Sequence, residues 1–260
     1  MQLAPLLNGL RLDGLLKRAT ASCYTTEAMS DMEDYYLPVT VSELDVDSRG
    51  TFVSRTYAHL FGAVCGFILI EMLLFKSGLA DQITRVLLGI SWLVVLGGFV
   101  VVSWLASRTA HLAKSKAAQY GALAAYVVAE SILFVPLLWI ANNVAPGAIT
   151  SAAAITFVTF AALTAVVFLT GKDFSFLRSL LFWGGIMALA LIVAGVVFGF
   201  QLGTYFSIAM VGFAGAAILY DTSNVLHHYS EDRYVAAALE LFASVTLMLW
   251  YVLRLVMSRR

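Results

Sequence analysis

Long runs of apolar residues, separated by short polar segments, recur along the chain after residue 55. A transmembrane α-helix needs roughly 20 such residues. Seven runs are that long, and they cover 56–75, 86–106, 117–141, 149–169, 179–200, 204–226 and 234–257. Lipid offers no partner for open backbone groups, so these runs must be helical. The pattern predicts an all-α integral membrane protein, with one seven-helix bundle over residues 56–257.

The first 55 residues form an N-terminal tail of different character. The opening MQLAPLLNGLRLDGLLKRAT is interrupted by Asn8, Arg11 and Asp13, so it lacks the apolar core of a signal peptide. It is typical of a short amphipathic helix on a membrane surface. Residues 27–47 are acidic and weakly periodic. Two interpretations of that segment stay open: a flexible linker, or a docking segment for another protein.

Composition agrees with a membrane protein and narrows the function. Hydrophobic residues make up 61% of the 260 residues and charged residues 12%, about half the charged fraction of soluble domains. The net charge is zero, which does not favour nucleic acid as a partner. Cys23 and Cys65 have no metal-ligand spacing. The HExxH, GxSxG and GxGD patterns are absent, so we expect no enzymatic activity and no cofactor.

The basic residues of the short loops predict the orientation, because cytoplasmic loops are enriched in Lys and Arg. Eight lie on the side of the N-terminal tail: Arg49, Arg55, Arg108, Lys114, Lys116, Lys172, Arg178 and Arg233. Four lie on the other side: Lys76, Arg85, Arg259 and Arg260. The count favours a cytoplasmic N-terminus.

Acidic residues inside the predicted spans are the candidates for function. An ionised carboxylate in a membrane is costly, and it normally faces the bundle interior or a water-filled cavity. Asp221 and Glu240 flank the polar hairpin near 227–233, each about 9 Å from its helix end. Glu130 lies in the middle of the third span. Glu71 lies beside Lys76 and is predicted to be interfacial.

Asp221 and Glu240 can together respond to pH if their helices are antiparallel neighbours. Two close carboxylates resist joint ionisation and titrate as a unit. At acid pH they share a proton and hold their helices together; at higher pH they separate and can coordinate a hard cation such as calcium. Ser244 lies one turn beyond Glu240 on the same helix face. The alternatives are that Asp221 only hydrogen-bonds to its neighbours and that Glu240 reaches toward the headgroups.

Four stretches resemble the Bax inhibitor / YccA family, the transmembrane Bax-inhibitor-motif family. ILYDTSNVLHHY (218–229) is similar to its sixth-helix signature and FVSRTYAHLFG (52–62) to the entry of its first helix. TGKDFSFLRSLLFWG (170–184) is similar to the loop before its fifth helix, and YVAAALELFASVTLMLWYVLRLV (234–256) to its last helix. The resemblance covers roughly residues 50–257.

This resemblance implies a bundle with the last helix near its centre, in a bacterial inner membrane. It also implies one of two functions: a pH-sensitive calcium leak channel, or a regulator that binds a membrane-anchored AAA protease. The family senses pH with two aspartates. The first corresponds to Asp221, but the second position is occupied by Ser244. We therefore hypothesise that Glu240 supplies the missing carboxylate and faces Asp221.

Overall fold

The structure is a computed structural model that describes residues 40–259. The predicted surface helix and most of the acidic segment lie outside the described residues. The described part contains eight α-helices: α1 Val46–Lys76, α2 Leu79–Gly89, α3 Trp92–Leu112, α4 Lys116–Val144, α5 Ala148–Thr170, α6 Leu177–Phe198, α7 Gly203–His227 and α8 Tyr234–Ser258. Two short 3-10 helices, Val41–Glu43 and Glu231–Arg233, precede α1 and α8.

Seven of these helices, α1 and α3 to α8, are long and apolar enough to cross a membrane. The predicted all-α, seven-helix membrane protein is confirmed. We call the side where α1, α4, α6 and α8 begin the tail face, and the side where they end the opposite face.

The first helix is longer than its apolar run. It begins at Val46, not at residue 56, because the Asp45 side chain caps it by accepting a hydrogen bond from the Ser48 backbone N–H at 3.2 Å. Hydrogen bonds from Ser48 hold the pKa of Asp45 below its usual range. The charged first turns of α1 therefore extend the helix on the tail face, ahead of the lipid-crossing segment.

The second predicted span, 86–106, had the wrong start. Residues 86–89 belong to α2, and the chain is extended at Ile90, with φ −103° and ψ 149°, before α3 begins at Trp92. The sequence LLGISWLVV is apolar across this break, so hydropathy alone did not show it. The short helix α2 instead packs on α4 and α1.

The last helix lies at the centre of the bundle. It contacts α1, α3, α4, α5 and α7. Of its membrane-spanning window 67% is buried, compared with 6% for α6, which presents apolar side chains to the outside. A polar residue on α8 is therefore surrounded by other helices, and it must find its partners there.

The α7–α8 hairpin is joined to the residues before α1. The Val41 backbone N–H donates to the Tyr229 carbonyl at 2.8 Å, and Thr40 and Ser230 form an antiparallel bridge. Phe52, which is 1% exposed, packs its ring 6.3 Å from that of Tyr229. The chain that leads from the tail is thus attached to the hairpin that carries Asp221 and Glu240.

Candidate functional site

Asp221 and Ser244 join α7 to α8. The Ser244 hydroxyl donates a short hydrogen bond to Oδ2 of Asp221. Asp221 lies on α7, about two turns before the end of that helix. The antiparallel hairpin places Ser244 of α8 opposite Asp221. The sequence predicted similar depth for Asp221 and Glu240, which flank this hairpin, but it did not predict a direct serine–aspartate pair.

Glu240 makes its hydrogen bond to a different helix. The Ser107 hydroxyl of α3 donates to Oε1 of Glu240 at 2.5 Å, and Nδ1 of His111 lies 3.7 Å from the same oxygen. Asp221 and Glu240 are close enough for their charges to interact, yet they share no hydrogen bond in the described structure. The structure therefore brings Asp221 to Ser244 and Glu240 to α3. The carboxylate replacement itself stays a prediction.

His111 continues this network toward the tail face. Its Nδ1 lies 2.9 Å from the Ser107 carbonyl, which can only accept, so Nδ1 carries the hydrogen. In the neutral ring Nε2 is then the acceptor for the Tyr229 hydroxyl, at 3.4 Å. Burial, together with the negative charges of Glu240 and Asp221, raises the pKa of Tyr229 well above its usual range. Tyr229 therefore stays protonated and can donate to His111.

Glu130 lies deeper, between α4 and α8. Its side chain is 5% exposed, and Oε1 accepts from the Tyr126 hydroxyl at 3.0 Å and from the Thr246 hydroxyl at 3.1 Å. Ser244 and Thr246 are two residues apart on α8. Glu130 is thus close to the Asp221–Ser244 pair along α8, but it has its own partners on the other side of that helix.

A cavity of about 850 Å³ reaches these polar groups from the opposite face. Arg254 and Ser258 lie near the C-terminal end of α8, and Glu130, Ser244 and Thr246 mark the deep end of the lining. Neither Asp221 nor Glu240 lines the cavity. The Ser244 hydroxyl therefore stands between the cavity and Asp221.

Together these side chains form a series of polar groups, in three separate sets of contacts, from the deep end of the cavity to the tail face. We call this series the polar track; its members are Glu130, Thr246, Ser244, Asp221, Glu240, Ser107, His111 and Tyr229. Three of its members are carboxylic acids, and the others are hydroxyls and one imidazole. Such groups can pass protons and can offer oxygen ligands to a hard cation.

Sequence reasoning identified Asp221, Glu240, Ser244 and Glu130 but missed the partners on other helices. Ser107 and His111 are four residues apart and share a helix face, which is a weak sign of a polar patch. Nothing in the sequence shows that α3 turns this face toward α8. Within residues 40–259 no three His, Cys, Asp or Glu side chains are grouped as metal ligands.

Glu71 is a second difference from expectation. It was predicted to be interfacial, but it is 6% exposed, and neither carboxyl oxygen has a hydrogen-bond partner among the described residues. Helix α1 contacts both α2 and α4. The sequence did not predict α2 as a separate helix, and the interfacial depth of Glu71 stays a prediction.

The fold and the polar track define a seven-helix integral membrane protein with acidic groups in its interior. The sequence profile of the family described as Inhibitor of apoptosis-promoting Bax1 matches residues 49–260. The chain belongs to this family, as the four motifs indicated. It is also 37% identical over 100 residues to an uncharacterized protein of Pseudomonas aeruginosa. That match covers 37% of this chain and 44% of the relative.

Proposed function

We propose that this protein is a pH-sensitive leak pathway for cations, with calcium as the candidate substrate, and that the Asp221–Ser244 pair is its barrier. The observation that carries the proposal is the position of Ser244 at the deep end of the cavity, hydrogen-bonded to Asp221 behind it. A cation entering from the opposite face meets Glu130 and Ser244 before it can reach Asp221. Beyond the barrier, Glu240 is the next carboxylate toward the tail face.

The serine changes how such a barrier responds to protons. Two aspartates need a shared proton to approach each other. A serine needs none, because its hydroxyl donates to an ionised carboxylate, and that charge-assisted bond is stronger than a neutral one. We infer that the Asp221–Ser244 pair closes without an added proton. Any pH response then depends on Asp221 and Glu240, whose charges interact.

The test is calcium flux into proteoliposomes between about pH 5 and pH 8, a range around the ordinary titration of His and of buried carboxyl groups. We expect Asp221→Asn to alter the flux at every pH. We expect Glu240→Gln to change its pH dependence. Ser244→Asp restores the two aspartates that the family resemblance implies, and it should produce closure at acid pH that the original chain lacks.

The matched control is Asp47→Asn, which removes an exposed acid from the first turn of α1 and leaves the polar track intact. Its flux should equal that of the original protein. If folded protein carries no calcium at any pH, the leak-pathway proposal is wrong. If Asp221→Asn has no effect while flux persists, the barrier lies elsewhere.

A second candidate function is the binding of a membrane partner, such as a membrane-anchored AAA protease, through the N-terminal tail. The attachment of Val41 to the Tyr229 carbonyl supports it, because a pull on the tail would act directly on the α7–α8 hairpin. We propose a cytoplasmic tail in a bacterial inner membrane, and no enzymatic activity. Co-purification with and without residues 1–39 tests the tail as the binding segment.

A further inference from the structure

A second group of polar side chains lies on the tail face, apart from the polar track. Two cations approach the ring of Tyr234, at the start of α8. The Nζ of Lys116, the first residue of α4, is 4.4 Å from the ring centroid. The guanidinium carbon of Arg55, on α1, is 5.7 Å from it. Each contact is a cation–π interaction, and together they bring two positive charges from different helices to one ring.

Neutral hydrogen-bonding groups complete this group, which we call the basic–aromatic cluster: Arg55, His59, Lys116, Tyr120 and Tyr234. Nε2 of His59 lies 3.1 Å from the Tyr120 hydroxyl, and that hydroxyl lies 3.2 Å from the hydroxyl of Tyr234. The His59 ring is 5.1 Å from the Tyr234 ring. Nδ1 of His59 lies 2.6 Å from the Arg55 carbonyl, which can only accept, so in the neutral ring Nε2 accepts from the Tyr120 hydroxyl, and that hydroxyl accepts from the hydroxyl of Tyr234. The cluster therefore combines two full positive charges with a hydrogen-bonded row of one imidazole and two hydroxyls.

The positive charge is not neutralised by a carboxylate. No salt bridge among the described residues includes Arg55 or Lys116. Lys116 donates only to neutral oxygens, the Asp232 carbonyl and Oε1 of Gln119 at 3.5 Å. The Asp232 carboxylate lies 3.3 Å from Nε of Arg233 instead. Like charges held close together without a counter-ion favour binding of an anion.

The position of the cluster indicates where that anion comes from. Lys116 and Tyr234 begin two of the helices that are long and apolar enough to cross a membrane, so the cluster lies at the tail-face ends of these helices, where lipid headgroups are expected. Toward the membrane centre the outer surfaces of α1 and α4 are apolar, with Phe61 71% and Val128 45% exposed. A methyl group added at Gly62 or Gly121 would meet no atom within 4 Å, so there is open space for an acyl chain.

We propose that the basic–aromatic cluster binds the phosphate of an anionic phospholipid. Arg55 and Lys116 pair with the phosphate oxygens, the Tyr234 ring holds these two cations in place, and the acyl chains lie along α1 and α4. Because the phosphate would join the starts of α4 and α8 to α1, the bound lipid fixes the helix that carries Ser244. The proposal does not depend on cation transport.

The test uses the full chain in detergent micelles, titrated with phosphatidylglycerol and followed by native mass spectrometry. Phosphatidylcholine is the zwitterionic comparison, and inorganic phosphate is the free anion. Arg55→Gln and Lys116→Gln should each weaken phosphatidylglycerol binding roughly fivefold, and the double variant roughly 25-fold. Arg178→Gln, at the start of α6 on the same face, is the matched control and should change nothing. Tyr234→Phe keeps the ring and should retain most of the binding.

Equal loss in Arg178→Gln and in the cluster variants would overturn the proposal, since the lipid would then respond only to general surface charge. Equal binding of phosphatidylcholine would overturn it as well. If inorganic phosphate competes at the same concentration as the lipid, the site is for free phosphate and the lipid assignment is wrong. Thermal unfolding of each variant without lipid shows whether it is folded, and the two single variants Arg55→Gln and Lys116→Gln test the site if the double variant is not.

Discussion

Removing the hydrogen bond between Ser107 and Glu240 should release α3 from α8. A hydrogen bond to a charged group contributes about 1.5–3 kcal/mol. The Glu240 side chain is 29% exposed, which weakens the bond, so we expect a value at or just below the lower end of that range, about 1–2 kcal/mol. In a chain of this length 1 kcal/mol corresponds to about 2–4 °C in Tm. The expected loss is therefore roughly 2–8 °C.

The measurement is a double-mutant cycle with Ser107→Ala and Glu240→Met, read by thermal unfolding in detergent. Methionine has a similar length and removes the carboxylate. If the two side chains stabilise the bundle mainly through the hydrogen bond between them, the double variant should be about as stable as the less stable single variant. The coupling free energy should be about 1–2 kcal/mol.

Ser131→Ala is the control for this cycle. The Ser131 hydroxyl donates to the Val127 carbonyl of its own helix at 2.9 Å, so its effect should add to that of Glu240→Met. A coupling below about 0.5 kcal/mol between Ser107 and Glu240 would refute the reasoning, since that is the usual error of additivity. Glu240 would then not be held by α3, and a pairing with Asp221 would become the better hypothesis.

Two further predictions concern acids outside the polar track. Glu71→Met should raise stability by about 1–3 kcal/mol, because it removes a buried carboxyl that has no hydrogen-bond partner within residues 40–259, and a lower Tm would show that this carboxyl is hydrogen-bonded. Burial raises the pKa of Asp173, but hydrogen bonds from Ser175 and Ser223 and the charge of His228 outweigh it and hold that pKa below its usual range. The native state thus favours the ionised form, so Asp173→Asn should lower Tm at neutral pH, and the difference should shrink as pH falls below about 4, toward the lowered pKa of Asp173. A difference that is as large at pH 3 as at pH 7 would contradict this.

The sequence predicted the class of the protein because a bilayer imposes a simple rule on any chain that crosses it. An apolar run of sufficient length must become a helix, and seven such runs fixed the number of spans. Asp221 and Glu240 were found for the same reason, since a carboxylate stands out in an apolar run. The helix ends were less clear: α1 begins at an Asp45 cap that hydropathy does not record, and α2 ends in a sequence that stays apolar.

The identity of each side chain's partner was decided only by the tertiary structure. Spacing along α8 shows that Glu240 and Ser244 share a face, but not that one contacts α3 and the other α7. That assignment depends on how each helix is rotated about its own axis relative to its neighbours. In a uniformly apolar helix, no periodic pattern of polar residues marks this rotation. The sequence by itself determined the bundle and its acids. The packing of α8 at the centre decided that Ser244 lines the cavity and contacts Asp221, and that Glu240 accepts a hydrogen bond from Ser107.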